Sequence, residues 1–323
     1  MRKFIVISLV TGILASTGVA RAKSADKPSG EILFYSERGG KGQLFLLDFE
    51  GGGVRPVGRS GSRPDHYPQW SPNGQRILFE SYRTGGWHSW GMDPDGKNPR
   101  RISDFPGGST QHYEFDASFA PDNQTIIFIN NFDLYEVSSK DRTPRRLGPA
   151  TPALYESAPS FAPNGNRIVF SGYQSTDETV HLYTVDAKGE NRQQLTSGKG
   201  WSLAPTWSPD GAKILFYSDR EGSLELYELD SKGGVPRPVL QPDAIKEAGF
   251  GSTKRIDPWD NDNGAVWQYR ASYSPDGEWI AFSRQVEGDR ELFISNRQGT
   301  EIRRITHHKG HDGMPAWRPS EQN

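Results

Sequence analysis

Pro205-Thr206-Trp207-Ser208-Pro209-Asp210-Gly211 is one copy of a phrase that recurs along the chain. Two earlier copies are Pro68-Gln69-Trp70-Ser71-Pro72-Asn73-Gly74 and Ala117-Ser118-Phe119-Ala120-Pro121-Asp122-Asn123. The others are Pro159-Ser160-Phe161-Ala162-Pro163-Asn164-Gly165, Ala271-Ser272-Tyr273-Ser274-Pro275-Asp276-Gly277 and Pro315-Ala316-Trp317-Arg318-Pro319. The residues C-terminal to the phrase repeat as well. Lys213-Ile214-Leu215-Phe216 is an alternating strand, and a Ser-x-Arg turn succeeds it at Ser218-Asp219-Arg220. A third strand, such as Leu226-Tyr227-Glu228-Leu229, precedes a polar turn and a short outer strand, such as Arg192-Gln193-Gln194-Leu195-Thr196. Asn-Gly and Asp-Gly supply the positive φ that tight hairpins require. Period-2 alternation of aromatic and β-branched residues marks half-buried strands.

Four strands in a unit of roughly 40–50 residues make a propeller blade, because one twisted sheet cannot bury both of its faces alone. The six phrases predict six blades. Glu31-Ile32-Leu33-Phe34-Tyr35-Ser36-Glu37-Arg38 reads as a second strand and its turn with no phrase before it, and the Trp317 phrase has no strands after it. The C-terminal strand is therefore expected to complete the N-terminal blade as its innermost strand. The fold class read from the repeat is all-β, a six-bladed β-propeller of four-stranded blades over residues 30–320. A long gap between Pro209 and Pro275 adds a rim insertion at about 241–266, and 321–323 form a tail.

Composition fits this reading. Hydrophobic residues are only 33%, with 36 Gly and 23 Pro, a balance that alone leans toward disorder. Nine Trp and 11% aromatics oppose that, and the repeat places many of the Gly and Pro in turns. A net charge of −2 gives no global field for nucleic acid or anionic lipid. The absence of Cys excludes disulfides, thiolate zinc sites, cysteine nucleophiles and a lipobox cysteine.

Met1-Arg2-Lys3, the apolar run Phe4 to Ala20 and the small-x-small step Ala20-Arg21-Ala22 have the layout of a Sec-type signal peptide over 1–22. Residues 23–29 then form a short linker. The expectation is a periplasmic or secreted protein with no stable membrane span after cleavage, since no second apolar run of spanning length occurs.

The order P-x-W-S-P-D-G, I-x-F-x-S-x-R-x-G, L-Y with a Gly turn, then R-x-L-T resembles the TolB-like family of WD-like β-propellers over nearly all of 30–320. The resemblance implies an exported propeller. In the family's eponymous protein an α/β domain precedes the propeller. That domain is expected to be missing here, because only 23–29 separate the cleavage site from the first blade.

The segment before each innermost strand forms one rim of a propeller's channel. Three positions ahead of each phrase stand Asp65, Glu114, Glu156, Ser202, Gln268 and Asp312. One residue earlier stand Pro64, Tyr113, Tyr155, Trp201, Trp267 and His311. This reads as a ligand mouth with a polar inner ring and an aromatic outer ring; packing and solvated acids are the plainer reading. Convergent carboxylates repel one another and require Arg270, raised pKa values or a divalent metal. His66, His112 and His311 lie in or beside the band and are the candidate metal ligands and, with Arg270, the candidate catalytic groups. Oligogalacturonate lyases are propellers with a similar repeat that hold a metal through several histidines, which implies the same test here.

In the insertion, Asp260-x-Asp262-x-Gly264 lacks the remaining positions of a calcium loop and reads as a polar loop. No P-loop, dinucleotide Gly motif, His-Glu-x-x-His or Gly-x-Ser-x-Gly is present. No cofactor is assigned. The expected function is a monomeric binding module for a glycan or an envelope protein, through Asp65, Tyr113, Glu114, Tyr155, Glu156, Trp201, Trp267, Gln268 and Asp312. The alternative is a carbohydrate-active enzyme, a metal-assisted lyase or hydrolase.

Overall fold

The computed structural model describes residues 27–58, 63–105, 113–250, 269–286 and 288–320. The predicted signal peptide, His112, Trp267, Gln268 and the Asp260 to Gly264 loop lie outside the described residues.

The described chain forms six four-stranded antiparallel sheets arranged as blades in a ring. In blade 1 the order is β24 (Asp312–Trp317), β1 (Glu31–Ser36), β2 (Gln43–Asp48), β3 (Gly53–Pro56). Blade 2 contains β4 (Asp65–Trp70), β5 (Ile77–Ser81), β6 (His88–Met92) and β7 (Arg100–Arg101). Blade 3 contains β8 (Glu114–Phe119), β9 (Thr125–Asn130), β10 (Asp133–Ser138) and β11 (Arg145–Arg146). Blade 4 contains β12 (Leu154–Phe161), β13 (Arg167–Gln174), β14 (Thr179–Asp186) and β15 (Gln193–Gln194). Blade 5 contains β16 (Ser202–Trp207), β17 (Lys213–Ser218), β18 (Glu225–Asp230) and β19 (Arg237–Pro238). Blade 6 contains β20 (Ala271–Tyr273), β21 (Trp279–Val286), β22 (Asp289–Asn296) and β23 (Ile302–Arg304).

The ring closes as the repeat predicts. β24 pairs with β1 in the register Ile32↔Trp317 and Ser36↔Asp312. Arg318 N–H donates to the Glu31 carbonyl at 2.8 Å, and Trp317 Nε1 donates to the Ser29 carbonyl at 3.0 Å. Two details depart from the sequence reading. The outermost strand expected over Arg192 to Thr196 is only Gln193–Gln194. The expected polar insertion opens with a short helix, α1 (Pro242–Glu247), with Pro in its first turn, where a missing N–H costs nothing.

The phrase itself is a built turn. The Ser208 hydroxyl donates to Asp210 Oδ1 at 2.5 Å and accepts the Lys213 N–H at 2.9 Å, fixing the entry to the second strand. Ser274 does the same with Asp276 and the Trp279 N–H. Gly211 takes φ +69°, and in blade 3 Asn123 fills that position with φ 59°. Asn is the non-glycine residue that tolerates this conformation best.

Six apolar clusters make the core, and each lies between neighbouring blades. Leu33, Leu44 and Leu46 of blade 1 meet Trp70, Ile77 and Phe79 of blade 2. Leu78, from the opposite side of β5, joins Phe119 and Phe128 of blade 3. Each second strand thus divides its alternate side chains between two neighbours, which is why these strands are buried on both faces.

Five of the six inner strands carry an irregularity just before the phrase. Tyr67, Asp116, Ala158, Ala204 and Met314 adopt positive φ between 48° and 56°. Their strands shift register there, as between His66 and Gln69 and between Phe115 and Ser118. This β-bulge interrupts the alternation and re-aims side chains between the rim and the phrase.

Candidate functional site

The rim carboxylates are each held by an arginine. Both Asp65 oxygens accept from Arg83 Nη2 at 3.0 Å, and Arg83 Nε donates to Ser81 at 2.9 Å. Arg38 bonds Asp312 at 2.6 Å and Ser36 at 2.8 Å in the same manner. In blade 5 the acid is replaced by Ser202, which Arg220 reaches at 3.2 Å. Thus the recurring Ser-x-Arg turn is an internal clamp. Its guanidinium also lies over blade aromatics, as Arg83 does over Phe79 and Trp90 at 4.8 Å each.

Glu114 and Glu156 lock strands together. Glu114 accepts from Arg101 at 2.8 Å, from the Ser89 N–H at 3.1 Å and from the Ser103 hydroxyl, all in blade 2. Glu156 accepts from Arg192 and from the Leu134 N–H, each at 2.6 Å. Burial pushes the Glu114, Glu156 and Asp312 carboxyls up, while Arg101, Arg192 and Arg38 act in the opposite direction. The repulsion expected among four rim acids is thus met by one arginine per acid.

The histidines are dispersed. His66 lies between Tyr35 at 4.8 Å and Trp87 at 4.7 Å, and burial pushes its pKa down to about 4 against a weaker upward pull from Glu37. His311 Nδ1 accepts the Arg290 N–H at 3.0 Å, which occupies that lone pair. Among the described residues, no group of three or more His, Asp or Glu side chains is arranged to hold a metal ion. Of the three candidate ligands, His66 and His311 are engaged in these contacts, and His112 lies outside the described residues.

Arg270 has a different role from a rim cation. Its Nη2 donates to Asp116 Oδ1 at 3.2 Å, and its guanidinium lies 5.2 Å from the centre of the Tyr67 ring. Arg270 precedes the inner strand of blade 6, and Asp116 belongs to blade 3, the opposite blade of a six-membered ring. The pair is a strut across the channel. Asp116 Oδ2 accepts the Ala158 N–H at 2.9 Å, and Glu80 Oε1 accepts the Asp116 N–H at 2.5 Å. Glu80 is 3% exposed, and its carboxyl is raised by burial and then by the nearby Asp116 charge.

Asp116, Tyr67 and Glu80 are absent from the residues that the sequence reading places at the site. A signal exists for two of them. Asp116 and Tyr67 stand immediately before their phrases, in the same column as Arg270. Reading that column, two residues after the rim acids, places a carboxylate opposite a guanidinium. Glu80 lies on a second strand and has no such marker.

The rim aromatics fall into two kinds. Tyr113 and Tyr155 are exposed, whereas Trp201 is partly buried, its backbone N–H donating to Asp219 at 2.6 Å. Tyr155 meets Phe132 edge-on at 5.2 Å and stacks on Tyr173 at 6.0 Å, and Tyr113 stacks on Phe115 at 6.3 Å. Phe132, in the β9–β10 turn, is also exposed and lies outside the column that marks the rim in the sequence.

Residues 142–252 match the TolB beta propeller domain family. Among curated proteins, the chain is similar to the uncharacterized peptidase YuxL of Bacillus subtilis, 26% identical over 184 residues, covering 50% of this chain and 27% of the relative. It is also similar to the Tol-Pal system protein TolB of Anaeromyxobacter dehalogenans, 29% identical over 139 residues, covering 43% of this chain and 27% of the relative. The chain thus spans about a quarter of the length of these two relatives. Among solved structures, TolB from Acinetobacter baumannii superposes with a TM-score of 0.70 at 18% identity, over 90% of this chain and 67% of that one. An oligogalacturonate lyase in complex with manganese gives 0.52 at 12% identity, over 87% and 74%. With the phrase repeated in every blade and the ring closed by β24, the chain is a six-bladed β-propeller that shares the TolB fold and matches the TolB beta propeller domain over residues 142–252.

Proposed function

We propose that this chain is an exported, monomeric binding module, periplasmic or secreted, that holds its ligand on the rim of blades 3 and 4. The observation that carries the reading is the concentration of exposed rings there. Tyr113, Phe132 and Tyr155 are 47%, 51% and 43% exposed, and the other exposed large hydrophobics among the described residues are Val54 and Val235. Flat rings left in water on a rigid scaffold suit recognition, and their faces match the C–H face of a sugar. A glycan is the favoured ligand; an envelope protein would use the same rings.

Titration with cell-envelope oligosaccharides tests the reading. The double variant Phe132→Ala/Tyr155→Ala is expected to weaken binding about tenfold or more with little change in unfolding, because both rings are exposed. Unchanged affinity would move the site elsewhere. The metal-assisted lyase or hydrolase reading gains its support from the lyase-like fold. It ranks second because the rim acids are bound to arginines and His66 is enclosed by rings. A stoichiometric transition metal in the purified protein would reverse that order.

A further inference from the structure

The opposite end of the channel carries a site that none of the rim residues enters. The second residue of the phrase lies on the axis side of its inner strand in blades 2 to 6. Gln69, Ser118, Ser160, Thr206 and Ser272 together line a narrow axial chamber of about 40 Å³, and Arg270 lines it with them. Four hydroxyl-bearing residues and one amide-bearing residue from five different blades thus line the chamber together with Arg270.

The chamber continues into a funnel of about 470 Å³ that shares Gln69, Ser160, Thr206 and Ser272 with it. The funnel wall is the rest of the phrase, with Trp70, Trp207 and Trp317 alternating with Pro72, Pro209 and Pro319. This volume suits a small ligand or the end of an extended one. The rim aromatics precede the inner strands and the phrases end them, so the funnel and the rim platform open on opposite faces.

The electrostatics select the ligand. Arg270 is 9% exposed and is the sole charged side chain lining the chamber or the funnel among the described residues. No carboxylate lines either one among those residues. Arg270 spends one hydrogen bond on Asp116, and a guanidinium carries five N–H donors. A guanidinium that holds Asp116 through one N–H and borders a chamber lined by neutral hydroxyl and amide residues matches a planar anion, which can accept its remaining donors. The Trp and Pro wall matches an apolar stem behind that anion.

We infer that the funnel on the phrase face is a binding site for a carboxylate-terminated ligand, whose carboxylate enters the axial chamber to meet Arg270 and the ring of hydroxyls. The carboxylate belongs either to a peptide C-terminus or to a uronic sugar, and the two sources share the same head-group chemistry.

The test uses the full chain and four probes: acetyl-Ala-Pro-Ala as the free acid and as its amide, and galacturonate against galactose. Calorimetry gives the affinities, and tryptophan emission reports occupancy, since three Trp line the funnel. At least one acid is expected to bind about tenfold or more tightly than its uncharged counterpart, with affinity falling as salt rises. Which acid binds identifies the source. Arg270→Gln should abolish the preference, but it leaves Asp116 buried without its cation and can unfold the ring. The double variant Ser160→Ala/Thr206→Val keeps the Asp116–Arg270 strut and should weaken the acid several-fold at unchanged thermal stability. Phe132→Ala/Tyr155→Ala on the other face should leave funnel binding intact, so the two sites fail independently. Equal affinity for acid and uncharged partner, or no binding of either acid, would mean that the chamber holds water only and would overturn the assignment.

Discussion

His66 illustrates how a residue chosen for its chemistry can be decided by its surroundings. Held between Tyr35 and Trp87, it is neutral in the folded protein, with its pKa pushed down to about 4 by burial. An unfolded histidine titrates near 6.5. The folded state therefore binds fewer protons between these values. The contribution of His66 is complete above about pH 6.5 and is lost as pH falls toward about 4, amounting to about 3 kcal/mol. Replacing His66 by Gln should flatten the acid limb of a stability–pH curve recorded by urea unfolding. An unchanged limb would show that His66 is not the group responsible.

At the scale of elements, the outer turns matter more than their polar sequence implies. Gly96, Gly189 and Gly299 read as turn punctuation in the sequence, and each also approaches the preceding blade. A Cβ on Gly189 would stand 2.5 Å from the Gly148 nitrogen and 2.6 Å from the Leu147 carbonyl carbon, at φ +81°. One on Gly299 would meet the Val239 oxygen. These glycines are docking points between blades, and backbone cannot move aside as a side chain can. Gly189→Ala should cost about 2 kcal/mol or more, beyond the cost of the turn conformation alone. Gly222→Ala is the control, since its φ is +95° and a Cβ there meets nothing within 4 Å. Equal losses at both positions, measured by thermal unfolding, would argue against the docking role.

Among the described residues the apolar core is divided around the ring. Its six apolar clusters sit between blades, so each blade depends on two neighbours, and the ring depends on β24. Removing residues 312–323 should expose β1 as an unpaired edge and uncover the cluster containing Ile32 and Phe34. The expected outcome is loss of a single cooperative transition in calorimetry. A truncated chain that melts as one unit at the original temperature would contradict this dependence. Six blades, their strand order and their closure are legible in the sequence, because the Pro-x-Trp-Ser-Pro-Asp-Gly phrase marks each inner strand and its turn. The outer strands are shorter than the sequence suggests, since Gln193–Gln194 is set by a short edge pairing that composition does not encode.

The same phrase determined by itself that the chain is a ring of repeated sheets, since turn chemistry and period-2 alternation are local and survive in a bare sequence. It also marked Tyr113 and Tyr155 as rim residues and Arg270 as a cation beside the rim acids. Only the tertiary structure decided what those positions face. The bulge before five of the six phrases interrupts the alternation, so Glu114 and Asp312 turn to arginine clamps while Asp116 turns inward and meets Arg270 across the channel. Partners that come from opposite blades are distant in sequence, and no local pattern records which side chains a closed ring brings together.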